Sequence, residues 1–495
     1  MEEGKGKREK GAALGSVTLA IAAPVALVAW GALAFGSVYP WAYMPLLAAS
    51  ALTGGVALLV HRSRRLPDPT RVALIALVAV LAAGVVQLIP LPAAVIEAGS
   101  PKTDAFLASN DLGYAFGSTP DPSDDDGANA SRGWHSLSLD PRQTMVGLGL
   151  LAAFTLLLAG LTTALSRAGS RRLTASIVVF GVVLALIGII QKAVLGDHAW
   201  GGMKIYGFWQ PYYLLSTPFG PYVNKNHFAG WMLMGLPLGL GLALGIAEHG
   251  LRSRGDDWRS MLLWLSSPKG GRLQLTLLAT LLMGASLLMT KSRSGLGGLI
   301  VVVLVMSIAA GRRFKSAKAG MVAFGSLAAV FALVFALAGD DLAARISGQS
   351  DAVELRKNIW SDSATIIKDF PLVGTGFNTF ATAMTAYQTT QKDQYFQEAH
   401  NDYIQIIVEG GILLALPAFT ALLLLVRAVH RRFTARQDDT MTHWIRVGAT
   451  TGLIAIALQS LVEFSLQMPG NAVFAVVLLS LSLHETPLDR GRFSV

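Results

Sequence analysis

The feature that most limits what this chain can become is the recurrence, along most of its length, of apolar stretches long enough to cross a lipid bilayer. A bilayer core needs about 20 apolar residues per helix, and every backbone polar group within it must be bonded inside the protein. Helices meet that demand locally, so an all-α polytopic membrane protein is expected. Composition agrees, with 53% hydrophobic residues, 14% charged residues and a mean hydropathy of +0.51. Apolar windows fall near 12–35, 40–60, 72–92, 144–166, 173–194, 227–247, 273–290, 295–311, 319–339, 408–427, 446–466 and 470–484. They predict about 12 transmembrane helices. The first window exceeds the apolar core of a signal peptide, although ALAFGS follows it, and is expected to remain as a helix.

Lys and Arg in short loops orient such a bundle. Arg62, Arg64, Arg65 and Arg71, then Arg167, Arg171 and Arg172, then Arg252, Arg254, Arg259, Lys269 and Arg272 all fall on one side of the alternation. Arg312, Arg313, Lys315 and Lys318 fall there too, as do Arg427, Arg431, Arg432 and Arg436. That side is expected to be cytoplasmic and to hold both termini. The other side receives an acidic loop near 96–143, the segment 195–226 and the long segment 340–407. The expected organisation is therefore 1–339 with helices one to nine, 340–407 as an external helical loop carrying site residues, and 408–495 with the last three helices. The low-complexity stretch Thr119 to Ser131 reads as a mobile acidic loop without chemistry. The formal charge of +9 sits in loops between apolar runs, which is membrane orientation, not nucleic-acid binding. With no cysteine, disulfides, thiolate metal sites and a cysteine nucleophile are excluded.

Within 340–407, Leu355, Ile359 and Ile366 recur at helical spacing from Val353 to Asp369, and Pro371, Gly374 and Gly376 end that helix in a turn. Ala381 to Phe396 is a second helical or loop piece that leads into His400.

Three stretches concentrate candidate chemistry: KSRSG from Lys291, ELRKNIW from Glu354 and EAHNDY from Glu398. Each places Arg or His at or just beyond the end of an apolar span, on the external side. Arg293 stands in an external turn that should be poor in basic residues, yet Lys291 is there as well. An interfacial arginine satisfied by lipid phosphate accounts for Arg293 about as well as a ligand role. Arg356 shares a helix face with Trp360, and an Arg stacked on Trp beside Glu354 is a serious rival to function. Two guanidinium groups beside a histidine nevertheless suit a diphosphate-bearing lipid, because they bind its oxygens bidentately. His400 taken alone is more often a snorkelling or capping residue. A helix starting at His400 keeps Tyr403 and Ile404 on its face and sets Glu409 nearly opposite, unless Gly410 and Gly411 accompany a break. Asp402 also points away, so no acid must pair with this histidine. GPYVNKNHFAGWM offers Asn224, Lys225, Asn226 and His227, which read slightly better as helix capping beside an aromatic belt than as a glycan contact. Glu463, near the end of a late span, is equally a structural or a functional carboxylate.

On FGSVYPWAY, SLSLDPRQT, GPYVNKNHFAGW, KSRSG, ELRKNIW through PLVGTGFNTF, and AHNDYIQIIVEGG, the chain resembles the bacterial O-antigen ligase and polymerase superfamily. The resemblance covers most of the chain and is clearest from Gly220 to Leu414. It implies a multi-pass enzyme of the bacterial inner membrane whose site faces the periplasm. The implied reaction takes a glycan from undecaprenyl diphosphate and moves it to a sugar hydroxyl, on lipid A core for ligases or on a growing polymer for polymerases. It further implies His400 as base or acceptor-orienting residue and Arg293 and Arg356 as diphosphate ligands. Lys291, Asn401 and Tyr403 join the Asn224 to His227 group as glycan contacts, and Glu409 and Glu463 stay undecided between structure and function. Similar ligases carry a second glycine three residues after the one matching Gly411, where this chain has Leu414.

The expected chemistry is inverting glycosyl transfer without metal or cofactor, since no DxD-like motif stands at these positions and two guanidinium groups can supply the electrostatic role. The expected partners are the lipid-linked glycan, a glycan or lipid A core acceptor, membrane lipid and a chain-length regulator. Polymerisation of a repeat unit for an exopolysaccharide or O-antigen is favoured, because large external segments can hold a long acceptor. Transfer to lipid A core or to protein is the alternative. A transporter or flippase would instead place charges near mid-membrane in related halves.

Overall fold

The computed structural model describes residues 21–64, 66–116, 133–195, 204–211, 217–251, 258–314, 351–435 and 438–485. Among them every regular element is helical, and eight helices are long and apolar enough to cross a membrane. The chain is a polytopic all-α membrane protein. In order, the helices are α1 Ile21–Leu33 and, after a single 3-10 turn at Phe35–Ser37, α2 Pro40–Val60, α3 Asp68–Val86, α4 Ala93–Gly99, α5 Pro101–Asn110 and α6 Leu112–Phe116. There follow α7 Pro141–Ala164, α8 Arg167–Leu195, α9 Lys225–Leu251, α10 Trp258–Leu265, α11 Pro268–Met289 and α12 Arg293–Arg313. The last are α13 Asp351–Asp369, α14 Phe380–Tyr387, α15 Asp402–Thr434, α16 Thr440–Gln459 and α17 Pro469–Leu483. The window expected near 319–339 and the acidic patch Thr119 to Ser131 lie outside the described residues.

Three expectations change. The segment near 96–143 is expected to be an acidic loop, but its described part includes the short helices α5 and α6, with Tyr114 buried and its hydroxyl donating to Asp104 at 2.6 Å. Pro at the first position of α5 pre-sets the helical φ, which apolar periodicity over so short a run does not register. The late span near 446–466 starts earlier and stops at Gln459, so Glu463 lies in the turn beyond α16. A helix from His400 is replaced by one that begins at Asp402.

The chain divides into two compact units. The first comprises Met1–Pro67, Leu156–Gly348 and Ala428–Val495. Its centre is α9, which packs against α8, α11, α12, α16 and α17. Helix α16 is long but falls outside the set apolar enough to span on composition alone. Burial explains its polarity. Trp444 donates to Glu248 on α9 at 2.6 Å, and Glu248 also accepts from Arg313 at 3.2 Å. Fully buried Arg446 binds Asp438 at 2.7 Å and also donates to the carbonyls of Ser482 and His484. A buried ion pair is tolerated when its remaining donors are satisfied in this way. The α9 and α16 backbones approach so closely that a Cβ on Gly448 would lie 2.3 Å from the carbonyl oxygen of Pro237. Small residues at such crossings are how membrane helices gain packing without a hydrophobic driving force.

The second unit comprises Asp68–Thr155 and Gln349–Arg427. The periodicity of α13 is realised in its core, where Ile359 and Ile366 pack with Phe370, Phe380, Met384, Ala399 and Val408. Its organising feature is a break in α15. Gly411 adopts φ 52° and ψ −156°, a region essentially confined to glycine. The amides of Ile412 and Leu413, which a continuous helix would direct to Val408 and Glu409, instead donate to the carbonyls of Pro371 at 3.0 Å and Leu372 at 2.9 Å. The released carbonyls of Val408 and Glu409 accept from the amides of Thr375 at 3.1 Å and Gly376 at 3.0 Å. Gln87, at the end of α3, completes the exchange. It donates to the carbonyls of Val373 at 2.6 Å and Glu409 at 2.9 Å, and it accepts from the Phe377 amide at 3.0 Å. The PLVGTGFN turn is thus inserted into the helix break. Leu414 is buried against Gly410 on the far side of the break.

A Cβ on residue 411 would meet the backbone of Leu372 and Gly374 at 2.6 Å, in addition to the φ penalty. Gly411→Val is therefore expected to cost roughly 3 kcal/mol or more. Thermal unfolding of the purified protein, followed by tryptophan fluorescence, checks this, and an unchanged unfolding temperature refutes it.

Candidate functional site

In the first unit, three separated stretches meet at neighbouring helix ends. Helix α11 stops at Met289, Lys291 turns the chain with φ 53°, and Ser292 caps α12 by accepting from the Gly295 amide at 3.1 Å. Arg293 is the first residue of α12 and is exposed. Lys291 and Arg293 thus both stand at the N-terminus of α12, the positive end of its dipole. Helix α9 begins at Lys225, and Asn224 caps it by accepting from the Asn226 amide at 2.9 Å. Asn226 donates its side-chain amide to buried Glu463 at 2.7 Å. Gln459, at the end of α16, donates to the carbonyl of Asn226 and to Ser294, each at 3.2 Å. These bonds join the N-termini of α9 and α12 to the turn after α16.

Within that group His227 has a distinct setting. It is buried, with its ring edge-to-face on Phe464 at 4.6 Å between centroids, and its carbonyl accepts from Asn471 at 3.0 Å. Its imidazole therefore belongs to the packed interior, while Asn224, Lys225 and Asn226 are only partly buried.

In the second unit, α13 carries Arg356, partly buried, and Trp360 one turn later. The Trp360 indole donates to the carbonyl of Ala399 at 2.9 Å. An indole N–H away from bulk water seeks an acceptor, and the chain supplies one in the residue before His400. On the other side of the same residue, in the preceding peptide group, the Ala399 amide donates to the Gln405 side-chain oxygen at 3.0 Å. His400 follows with φ 51°, a left-handed conformation uncommon for a residue with a Cβ. Asn401 then caps α15, accepting from the amides of Tyr403 at 3.0 Å and Ile404 at 3.1 Å. His400 thus precedes the helix, and the helical-wheel relation to Tyr403 and Ile404 does not hold. The Tyr403 ring stacks on Phe419 with centroids 6.5 Å apart.

Glu409 turns into the break region, accepting from the amides of Asn378 at 2.8 Å and Phe380 at 3.3 Å and from the Gln405 side chain at 3.0 Å. Its bonds tie α15 to the N-terminus of α14. The Gln405 amide also donates to Glu398, so one neutral side chain separates two carboxylates. Sequence reasoning singled out neither Gln405 nor Gln87. For Gln405 the available signal was spacing, since it lies four residues after Asn401 and four before Glu409.

Glu398 lies outside the spanning helices, and burial pushes its carboxyl up to about 8. The Gln405 hydrogen bond opposes that shift, and the charges of Glu409 and Asp402 reinforce it. The folded chain keeps this proton up to about pH 8, whereas the unfolded chain releases it above the ordinary 4.5. Its contribution to stability is therefore full at low pH and falls as pH rises through that interval. Glu398→Gln is expected to flatten the pH dependence of the unfolding temperature between about pH 5 and 8. Tryptophan-fluorescence melts across that range check this, and an unchanged slope refutes it.

No curated protein matches the chain. Residues 278–419 match a family model described as O-antigen ligase. That interval contains the KSRSG turn, α13, the PLVGTGFN turn, the clamped His400 peptide and the break at Gly411. Over that interval the chain is similar to the O-antigen ligase family.

Proposed function

We propose that the protein is a glycosyltransferase of the bacterial inner membrane that works at the periplasmic face on an undecaprenyl-diphosphate-linked glycan. The observation that carries this reading is that, within the second unit, the helix α13 that carries Arg356 also holds the carbonyl just before His400, through the Trp360 indole at 2.9 Å. A lipid-linked glycan substrate and a glycosyltransferase-like activity agree with the family.

In the proposed reaction, His400 takes the proton of an acceptor sugar hydroxyl as its oxygen forms a bond to the donor's anomeric carbon. The bond from that carbon to the diphosphate oxygen breaks, and undecaprenyl diphosphate leaves. Arg356 stabilises the charge that develops there, and a planar guanidinium suits two phosphate oxygens at once. Arg293 is assigned the same chemistry on its own merits: an exposed guanidinium at a helix N-terminus beside Lys291. Displacement by the hydroxyl from the opposite face inverts the anomeric centre. Asn224, Lys225 and Asn226, with Asn401 and Tyr403, are offered as glycan contacts, and Lys291 as a further charge for the donor. Between acceptors, a growing polymer is preferred to lipid A core or protein, because the external segments are large enough to take a long glycan.

Glycan profiling by gel and mass spectrometry, in a deletion strain complemented with wild type or variants, tests this. Loss of a general base is expected to reduce product about 100-fold or more in His400→Ala. Arg356→Lys is expected to fail as well, because an ammonium group cannot replace the bidentate fork. Accumulated single lipid-linked repeats support polymerisation, and long lipid-linked chains lacking their final acceptor point to ligation. Full product with His400→Ala would remove the base assignment.

A further inference from the structure

Side chains hold Ala399 at both of its peptide groups. Its carbonyl accepts from Trp360 Nε1 at 2.9 Å, and its amide donates to Gln405 Oε1 at 3.0 Å. The next residue is His400, in a left-handed backbone conformation at φ 51°. Conformations of this kind persist only where the surroundings over-determine them. Gln405 is 1% exposed, and its amide nitrogen donates to Glu409 at 3.0 Å and to Glu398. Glu409 in turn holds the amides of Asn378 and Phe380. One hydrogen-bonded chain therefore runs from α13 through the Ala399 peptide and Gln405 to the N-terminus of α14.

We propose that Gln405 and Trp360 are positioning residues for His400, fixing the two peptide groups of Ala399 before it so that the imidazole is presented in one orientation to the acceptor hydroxyl. This rests on the reading of His400 as the base. A glutamine suits position 405 for a chemical reason. It offers one acceptor to the Ala399 amide and two donors to the two carboxyl groups, whereas an ionised glutamate would offer no donor and would add a negative charge between them. Leucine fills similar space and leaves the amide and both carboxylates without those bonds. Trp360 acts more simply, through a single N–H.

The test uses the full chain in nanodiscs, with lipid-linked glycan extracted from the deletion strain as donor. The variants are Gln405→Leu, Trp360→Phe, His400→Ala and the double variant His400→Ala with Gln405→Leu. Misplacement of a catalytic group by about 1 Å costs on the order of 100-fold, so Gln405→Leu is expected to lower kcat roughly 10- to 100-fold with donor KM little changed. Trp360→Phe keeps the ring and loses only the N–H. It is expected to lower kcat in the same sense by a smaller factor, and it decides the matter if Gln405→Leu does not fold. On the residual rate of His400→Ala, adding Gln405→Leu is expected to change nothing further, because both act through one imidazole. If His400→Ala is inactive while Gln405→Leu and Trp360→Phe turn over like wild type, the positioning role is overturned and the base assignment stands. A raised KM with unchanged kcat, or a further loss in the double variant, overturns it too. If His400→Ala keeps full turnover, the base assignment itself has failed.

Discussion

The second unit depends on a backbone exchange at Gly411. A helix interrupted among apolar residues exposes amides and carbonyls that cannot be left bare, and each unsatisfied group there costs several kcal/mol. The PLVGTGFN turn supplies partners on both sides of the break: carbonyls of Pro371 and Leu372 for the freed amides, and amides of Thr375 and Gly376 for the freed carbonyls. Gln87 closes the remaining valences with a side chain that donates and accepts at once. A glycine is required because only it reaches φ 52° with ψ −156° at low cost, and because the turn leaves no room for a Cβ.

From that exchange the order of the site follows. The break directs Glu409 toward the amides of Asn378 and Phe380, and Glu409 anchors Gln405 one helical turn earlier. Gln405 reaches back over the start of α15 to the Ala399 peptide, which α13 grips through Trp360. A local backbone irregularity is thereby linked, bond by bond, to the conformation of His400. The polar groups are few but mutually satisfied, which is the condition under which a buried polar network rigidifies a site instead of weakening it.

The first unit handles polarity by another route. Its central crossing is small-residue packing between α9 and α16, and it admits Arg446, Glu248 and Trp444 only where each has a fixed partner. At the opposite ends of its helices it does something costly in isolation, placing Lys291 and Arg293 at the positive end of α12. The capping bonds of Ser292 and Asn224, and the Asn226, Glu463 and Gln459 contacts, give that region a defined scaffold.

Apolar periodicity and length determined the class of fold by themselves, because bilayer thickness translates directly into runs of residues. Most helices lie where those runs are, and the α13 helix with its Leu355, Ile359 and Ile366 face was equally legible. The motifs around Arg293, Arg356 and His400 were legible as residue types at helix ends, and the family match covers the same stretches. What only the tertiary structure decided was which polar atoms meet. That His400 precedes the helix, that Trp360 serves Ala399, that Gln405 separates Glu398 from Glu409 and that Gln87 enters the break all depend on contacts between residues distant in the chain or on one backbone angle. Hydrophobic patterning records which face is buried. It carries no information on hydrogen-bond partners, because a buried glutamine occupies the same place in the pattern whichever backbone it satisfies.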